Sequence, residues 1–235
     1  MSTPASFYRT HLLLIPGALA FVAQLSHTSG LDHALTSLFF DAGSNRFPVH
    51  TWATLEMLGH RFAKTAIVLI WLSLLASVAS TYAWPRWRPA WTAQRVPMWC
   101  AAAGMALGPM IVVALKGLNA YHCPWDLVEF GGGAEFSSSW FVAASEVGHC
   151  FPGGHAASGF SLVALYFLAR EMGSPTQRRI MLALTLLVGT AFSLLRMAQG
   201  AHFLSHNLWA AAICWAVAAL AFMPLYAQRK AMVTT

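Results

Sequence analysis

Six apolar runs set the limits on what this chain can become. They lie at about residues 10–26, 60–84, 97–118, 154–171, 180–199 and 203–227, and roughly 20 apolar residues in a helix cross the hydrocarbon of a bilayer. With 57% hydrophobic and only 9% charged residues over 235 positions, the chain is too apolar for an ordinary soluble domain. The expectation is an all-α fold, a six-transmembrane helical bundle forming a single domain over residues 1–235. No internal repeat, linker or low-complexity tract divides it. The first run is short and contains Pro16 and Gly17, with Arg9 and His11 at its start. A signal peptide would read similarly, but no convincing small-residue cleavage site follows, so the run is expected to remain as a helix.

The net charge of +6 does not imply nucleic acid. The basic residues flank apolar runs instead of forming a stripe, which suits topology and membrane lipids. Placing both termini in the cytoplasm puts Arg9, Arg86, Arg88, Arg95, Arg170, Arg178, Arg179, Arg229 and Lys230 on that face. Fewer cations, Arg46, Arg61, Lys64, Lys116 and Arg196, then fall on the outer face, as the positive-inside rule asks. The outer face also takes Asp32, Asp41, Glu56, Asp126, Glu129, Glu135 and Glu146. Trp84, Trp87 and Trp91 suit an interfacial aromatic belt.

Two outer segments are longer than simple connections. Residues 27–60 include LDHALTSLFF, a short amphipathic pattern suited to the membrane surface. Residues 119–153 carry Gly131, Gly132, Gly133 and a serine run, the composition of a flexible functional loop. Cys100 and Cys214 fall within apolar runs and read as packing residues. Cys123 and Cys150 flank the second outer segment in an oxidising compartment, where a disulfide would staple its two ends; two free buried thiols are the alternative. His122 and His149 read as loop residues.

Polar clusters sit at the ends of the apolar runs. Lys116 ends the third, and Cys123-Pro124 follows; Pro152-Gly153-Gly154-His155 opens the fourth; Arg196 ends the fifth, with His202 and His206 opening the sixth. Cations and histidines beside hydrocarbon, with no dense carboxylate set, suit the gripping of a phosphate. The order resembles the type 2 phosphatidic acid phosphatase (PAP2) superfamily, whose motifs run Lys-x6-Arg-Pro, Pro-Ser-Gly-His and Ser-Arg-x5-His-x3-Asp. The resemblance covers residues 116–206. It implies that His202 attacks phosphorus to give a phosphohistidine, that His155 is the acid and base, and that Lys116 and Arg196 hold phosphate oxygens. Gly153 and Gly154 at a helix start would bring backbone amides to the anion. The chemistry is coherent: phosphoryl transfer needs positioning and charge neutralisation, histidine titrates near neutrality, and Arg can fork onto two oxygens where Lys acts as a point charge.

The chain departs from the pattern at several positions. The first-motif arginine is Cys123, the second-motif serine is Gly153, the third-motif aspartate is His206, and Leu195 precedes Arg196. A carboxylate would orient the nucleophilic ring. His206, four residues after His202, is expected on the same helical face as an orienting or a packing residue, and Asp126 is a candidate to supply the missing carboxylate. The resemblance implies no cofactor and a phosphorylated lipid substrate, hydrolysed at the outer face of the cytoplasmic membrane. Transfer to a second lipid would use the same intermediate. Two other readings remain open at this point: a metal site built on His202 and His206 with His155, His122 or His149, and a non-catalytic lipid-binding bundle.

Overall fold

The computed structural model describes residues 4–52, 63–86 and 89–233. Glu56, Arg61, Trp87 and Arg88 lie outside the described residues. Among those described, every regular element is helical, and β pairing is confined to isolated bridges such as Asn119 with Trp140. Among the described residues five helices are long and apolar enough to cross a membrane, which suggests a membrane protein.

Helix α1 spans Pro4–Thr28. Pro16 has no N–H to donate and its ring crowds the preceding turn. The chain widens just before it into a π-helical stretch over Arg9–Leu14. Helix α2 covers Leu31–Ser37 and lies within the first outer segment. Its buried residues are polar, Asp32 and Thr36, whereas Leu31 and Leu38 at its ends are exposed. The amphipathic pattern is thus anchored to the bundle through its polar side.

Helix α3 runs over Ala63–Ala83 and α4 over Arg95–Lys116. The fourth apolar run is not one helix. It divides into α5, Gly154–Phe160, and α6, Val163–Glu171. Two hydroxyls bond back into the chain there, Ser158 Oγ to the Gly154 carbonyl at 3.2 Å and Ser161 Oγ to the Ser158 carbonyl at 2.7 Å. Such back-bonding competes with the helix ladder and bends it. Helices α7, Pro175–Ala198, and α8, Leu204–Val233, complete the bundle.

Small residues let the helices approach. A Cβ on Gly104 would lie 3.2 Å from Ala218 Cα, and one on Gly108 3.2 Å from Cys214 Cα, so α4 and α8 meet almost backbone to backbone. This is the usual way to gain packing where lipid is as apolar as the partner helix. Toward one end the core is aromatic: buried Phe7 stacks on Tyr226 with ring centroids 3.8 Å apart and edges against Phe167. At the other end α4 stops, α5 starts, α7 stops and α8 starts. The polar clusters are carried on these four termini.

Candidate active site

Lys116, the last residue of α4, reaches across to the loop before α5. Its Nζ donates to the carbonyls of His149 and Cys150, both at 3.2 Å. Buried Asn119 braces the same junction, with Nδ2 donating to the Leu115 carbonyl at 2.7 Å and the Phe151 carbonyl at 3.0 Å. Cys150 is joined to Cys123 by a disulfide, Cα to Cα 5.1 Å. The link fastens the two ends of the second outer segment beside Lys116.

Helix α7 ends through Gly200, whose φ of 71° lies in the left-handed region that glycine tolerates. The turn carries the chain from Arg196 back to the site. Arg196 Nη1 donates to Gln199 Oε1 at 2.8 Å, and its guanidinium lies 5.4 Å from the Trp125 ring centre. His50 stacks on the far partner of that pair, ring centroids 4.5 Å from Trp125.

His202 lies in this turn and is 4% exposed. Because α8 begins only at Leu204, His202 and His206 do not share a helical face as their spacing suggested. Their rings stand edge to face at 5.8 Å. The Nδ1 of His202 faces the Cys150 sulfur at 3.3 Å, and His206 Nδ1 is buried without a hydrogen-bond partner among the described residues. The orienting contact on His202 therefore comes from the disulfide, and His206 packs against Phe151 and Phe203. Burial drives the His202 pKa well below its ordinary value of 6.5, and the charges of Lys116, His206, Arg196 and His155 push it further the same way.

Gly153 and Gly154 have different tasks. The Gly153 amide donates to the His206 carbonyl at 2.9 Å, so it is committed to the protein and not to an anion as expected. A Cβ at Gly153 would stand 2.4 Å from Asn207 Oδ1, so a larger residue would have to push that side chain aside where the second cluster docks on α8. Gly154 instead lines a cleft of about 580 Å³ with Lys116, His155, Ser158 and Lys64. The same cleft has an apolar wall of Pro109, Met110 and Val113, of which Met110 and Val113 are 63% and 65% exposed on the outside of the bundle.

Asp126 makes no side-chain hydrogen bond or ion pair with these histidines among the described residues; its neighbour Trp125 is the group that meets Arg196. The carboxylate at the start of α8 belongs to Asp32, 1% exposed on α2. Its Oδ1 accepts from the Ser205 amide at 2.9 Å and from Ser26 Oγ at 2.7 Å, and its Oδ2 accepts from Ser205 Oγ. His27 Nδ1 stands 4.0 Å away. A carboxylate on first-turn amides is the favoured charge at a helix start. Sequence reasoning missed Asp32, Trp125 and His50, which lie outside the clusters; a lone aspartate in an apolar-flanked amphipathic stretch was the one available signal.

The metal reading finds a single group among the described residues, Cys123, Cys150 and His202, with donor atoms within 4.8 Å. Its sulfurs are bonded to each other, so neither is a thiolate able to ligate.

A sequence model of the PAP2 superfamily matches residues 97–230, more than half of the chain. The chain belongs to the PAP2 superfamily, whose members are generally phosphatases. Neither the curated proteins nor the solved structures searched contain a match.

Proposed function

We propose that the protein is an integral membrane phosphatase of a phosphorylated lipid, acting through a phosphohistidine on His202. The observation that carries this reading is the composition of one cleft, lined by Lys116 and His155 together with outward-facing Met110 and Val113. A ligand that suits both kinds of lining has a phosphate and a hydrocarbon chain. In this reading α5 and α6 together form a sixth span, both termini are cytoplasmic, and the cleft opens on the outer face of the cytoplasmic membrane.

With Nδ1 turned to the Cys150 sulfur, Nε2 is the nitrogen left to attack. Its lone pair forms the N–P bond as the bond from phosphorus to the lipid oxygen breaks, and His155 delivers a proton to that leaving oxygen. Water then attacks phosphorus, His155 takes its proton, and the N–P bond breaks to release phosphate. Lys116 and Arg196 neutralise the non-bridging oxygens, which is most of what phosphoryl transfer asks of a protein. Arg196 is held for the task by Gln199 and Trp125. A depressed His202 pKa keeps the attacking ring neutral at pH 7. Hydrogen bonding to a disulfide sulfur orients the ring without the charge stabilisation that a carboxylate at position 206 would give.

The test is purified protein in detergent assayed with prenyl pyrophosphate, phosphatidate and phosphatidylglycerol phosphate, with and without EDTA. Phosphate release that survives chelation and disappears in His202→Ala supports the reading. Absence of release from every lipid, or full activity in that variant, refutes it.

A further inference from the structure

At the far end of the bundle lies a second cleft of about 500 Å³, walled by α1, α6, α7 and α8. Arg178 and Arg196 sit 18 positions apart on α7, about 27 Å at 1.5 Å per residue, so this cleft is remote from His202. Thr10, His11, Arg170, Arg178, Arg179 and Trp215 contribute to its walls. No carboxylate does so among the described residues.

Donors outnumber acceptors in the cleft, whose hydroxyls are those of Ser6, Thr10 and Tyr166. His11 is 4% exposed, and its Nε2 lies 2.6 Å from Arg170 Nη1. Arginine can only donate, so Nε2 accepts and the ring proton resides on Nδ1. That N–H is buried with no hydrogen-bond partner among the described residues, and so is the indole N–H of Trp215. Arg178 and Arg179 occupy the opening turns of α7, where the helix dipole is positive and disfavours cations. The π-helical stretch ahead of Pro16 brings Thr10 and His11 to the same place. Two buried N–H groups without partners and three guanidinium groups around one cavity suit an anion. Ile15 and Leu182 extend the wall along the hydrocarbon-spanning helices, which adds an apolar surface for a chain attached to that anion.

We propose that this cleft binds the phosphate of an anionic glycerophospholipid at the membrane surface opposite the His202 site. The phosphate sits between Arg178, Arg179 and the His11 and Trp215 donors, and an acyl chain descends beside Ile15 and Leu182. The lipid is a bound regulator or stabiliser there and is not turned over. Nothing in this inference depends on the phosphatase reading.

Thermal unfolding of the full chain in detergent tests it, with dihexanoyl-phosphatidylglycerol, dihexanoyl-phosphatidylcholine or inorganic phosphate as the probe. Wild type is expected to gain several degrees with the phosphatidylglycerol at saturation and little with the other two. Arg178→Gln/Arg179→Gln should lose most of that gain. Trp215→Phe, which keeps ring and charge and removes one N–H, should need at least about threefold more lipid for half the effect. An equal gain from phosphatidylcholine or from inorganic phosphate overturns the assignment. So does a gain in the double variant equal to that of the wild type, or an unchanged lipid requirement in Trp215→Phe should the double variant fail to fold.

Discussion

His202 turns its Nδ1 toward the sulfur of Cys150, 3.3 Å away, and that sulfur belongs to the disulfide with Cys123. The link that closes the second outer segment is also the surface against which the candidate nucleophile rests. Cys123→Ser/Cys150→Ser is therefore expected to lower kcat about tenfold, ~1.4 kcal/mol in the barrier, and to lower Tm. Phosphate release and thermal unfolding, each measured on the oxidised and reduced protein, check both halves.

Asp32 holds the start of α8 from a position far away in the sequence. Asp32→Ala leaves the Ser205 amide and hydroxyl without their acceptor in a buried setting, a loss of about 1–3 kcal/mol. Asp32→Asn keeps an oxygen for the amide and should cost less. Tm should fall in the order wild type, Asn, Ala; equal values for all three would remove Asp32 from the account.

Arg196 is expected to resist conservative replacement. Arg196→Lys keeps the charge but loses the planar fork and the stacking on Trp125. A fall in kcat/KM of about 10- to 100-fold is expected, with Trp125→Ala reproducing part of it. Steady-state kinetics on both variants provide the measurement.

The direction of the His202 shift gives a pH signature. The folded state keeps the imidazole neutral well below 6.5, while the unfolded chain binds a proton near 6.5. Between the two values the unfolded state holds more protons, so the His202 contribution lowers stability as pH falls below 6.5 and vanishes above it. The nucleophile stays deprotonated through the same window, so the acid limb of kcat/KM assigned to it should lie below pH 6.5. A pH–rate profile compared with Tm at each pH reads both.

Much of the architecture was legible because lipid imposes simple demands. Apolar length gave the positions of α1, α4, α7 and α8, and the order of cations and histidines at run ends identified the family. The break between α5 and α6 was not legible, since apolarity reports burial and does not register Ser158 and Ser161 bonding back to carbonyls. The i, i+4 spacing of His202 and His206 misled because it assumes a helix that starts two residues too early. Gly153 looked like a phosphate-binding amide, yet its N–H goes to the His206 carbonyl. Asp32, Trp125 and His50 escaped for a common reason: Asp32 and His50 come from the first outer segment and Trp125 from the second, and each meets its partner through tertiary packing that no local pattern encodes.

The central claim is tested most directly by trapping the covalent intermediate. Protein mixed with a 32P-labelled lipid phosphate and quenched in alkali, which preserves phosphohistidine, is digested and read by mass spectrometry. The account predicts label on the peptide containing His202, absent in His202→Ala, and accumulating in His155→Ala when the leaving group needs no proton. Turnover with label on another residue, or full turnover in His202→Ala, would contradict it.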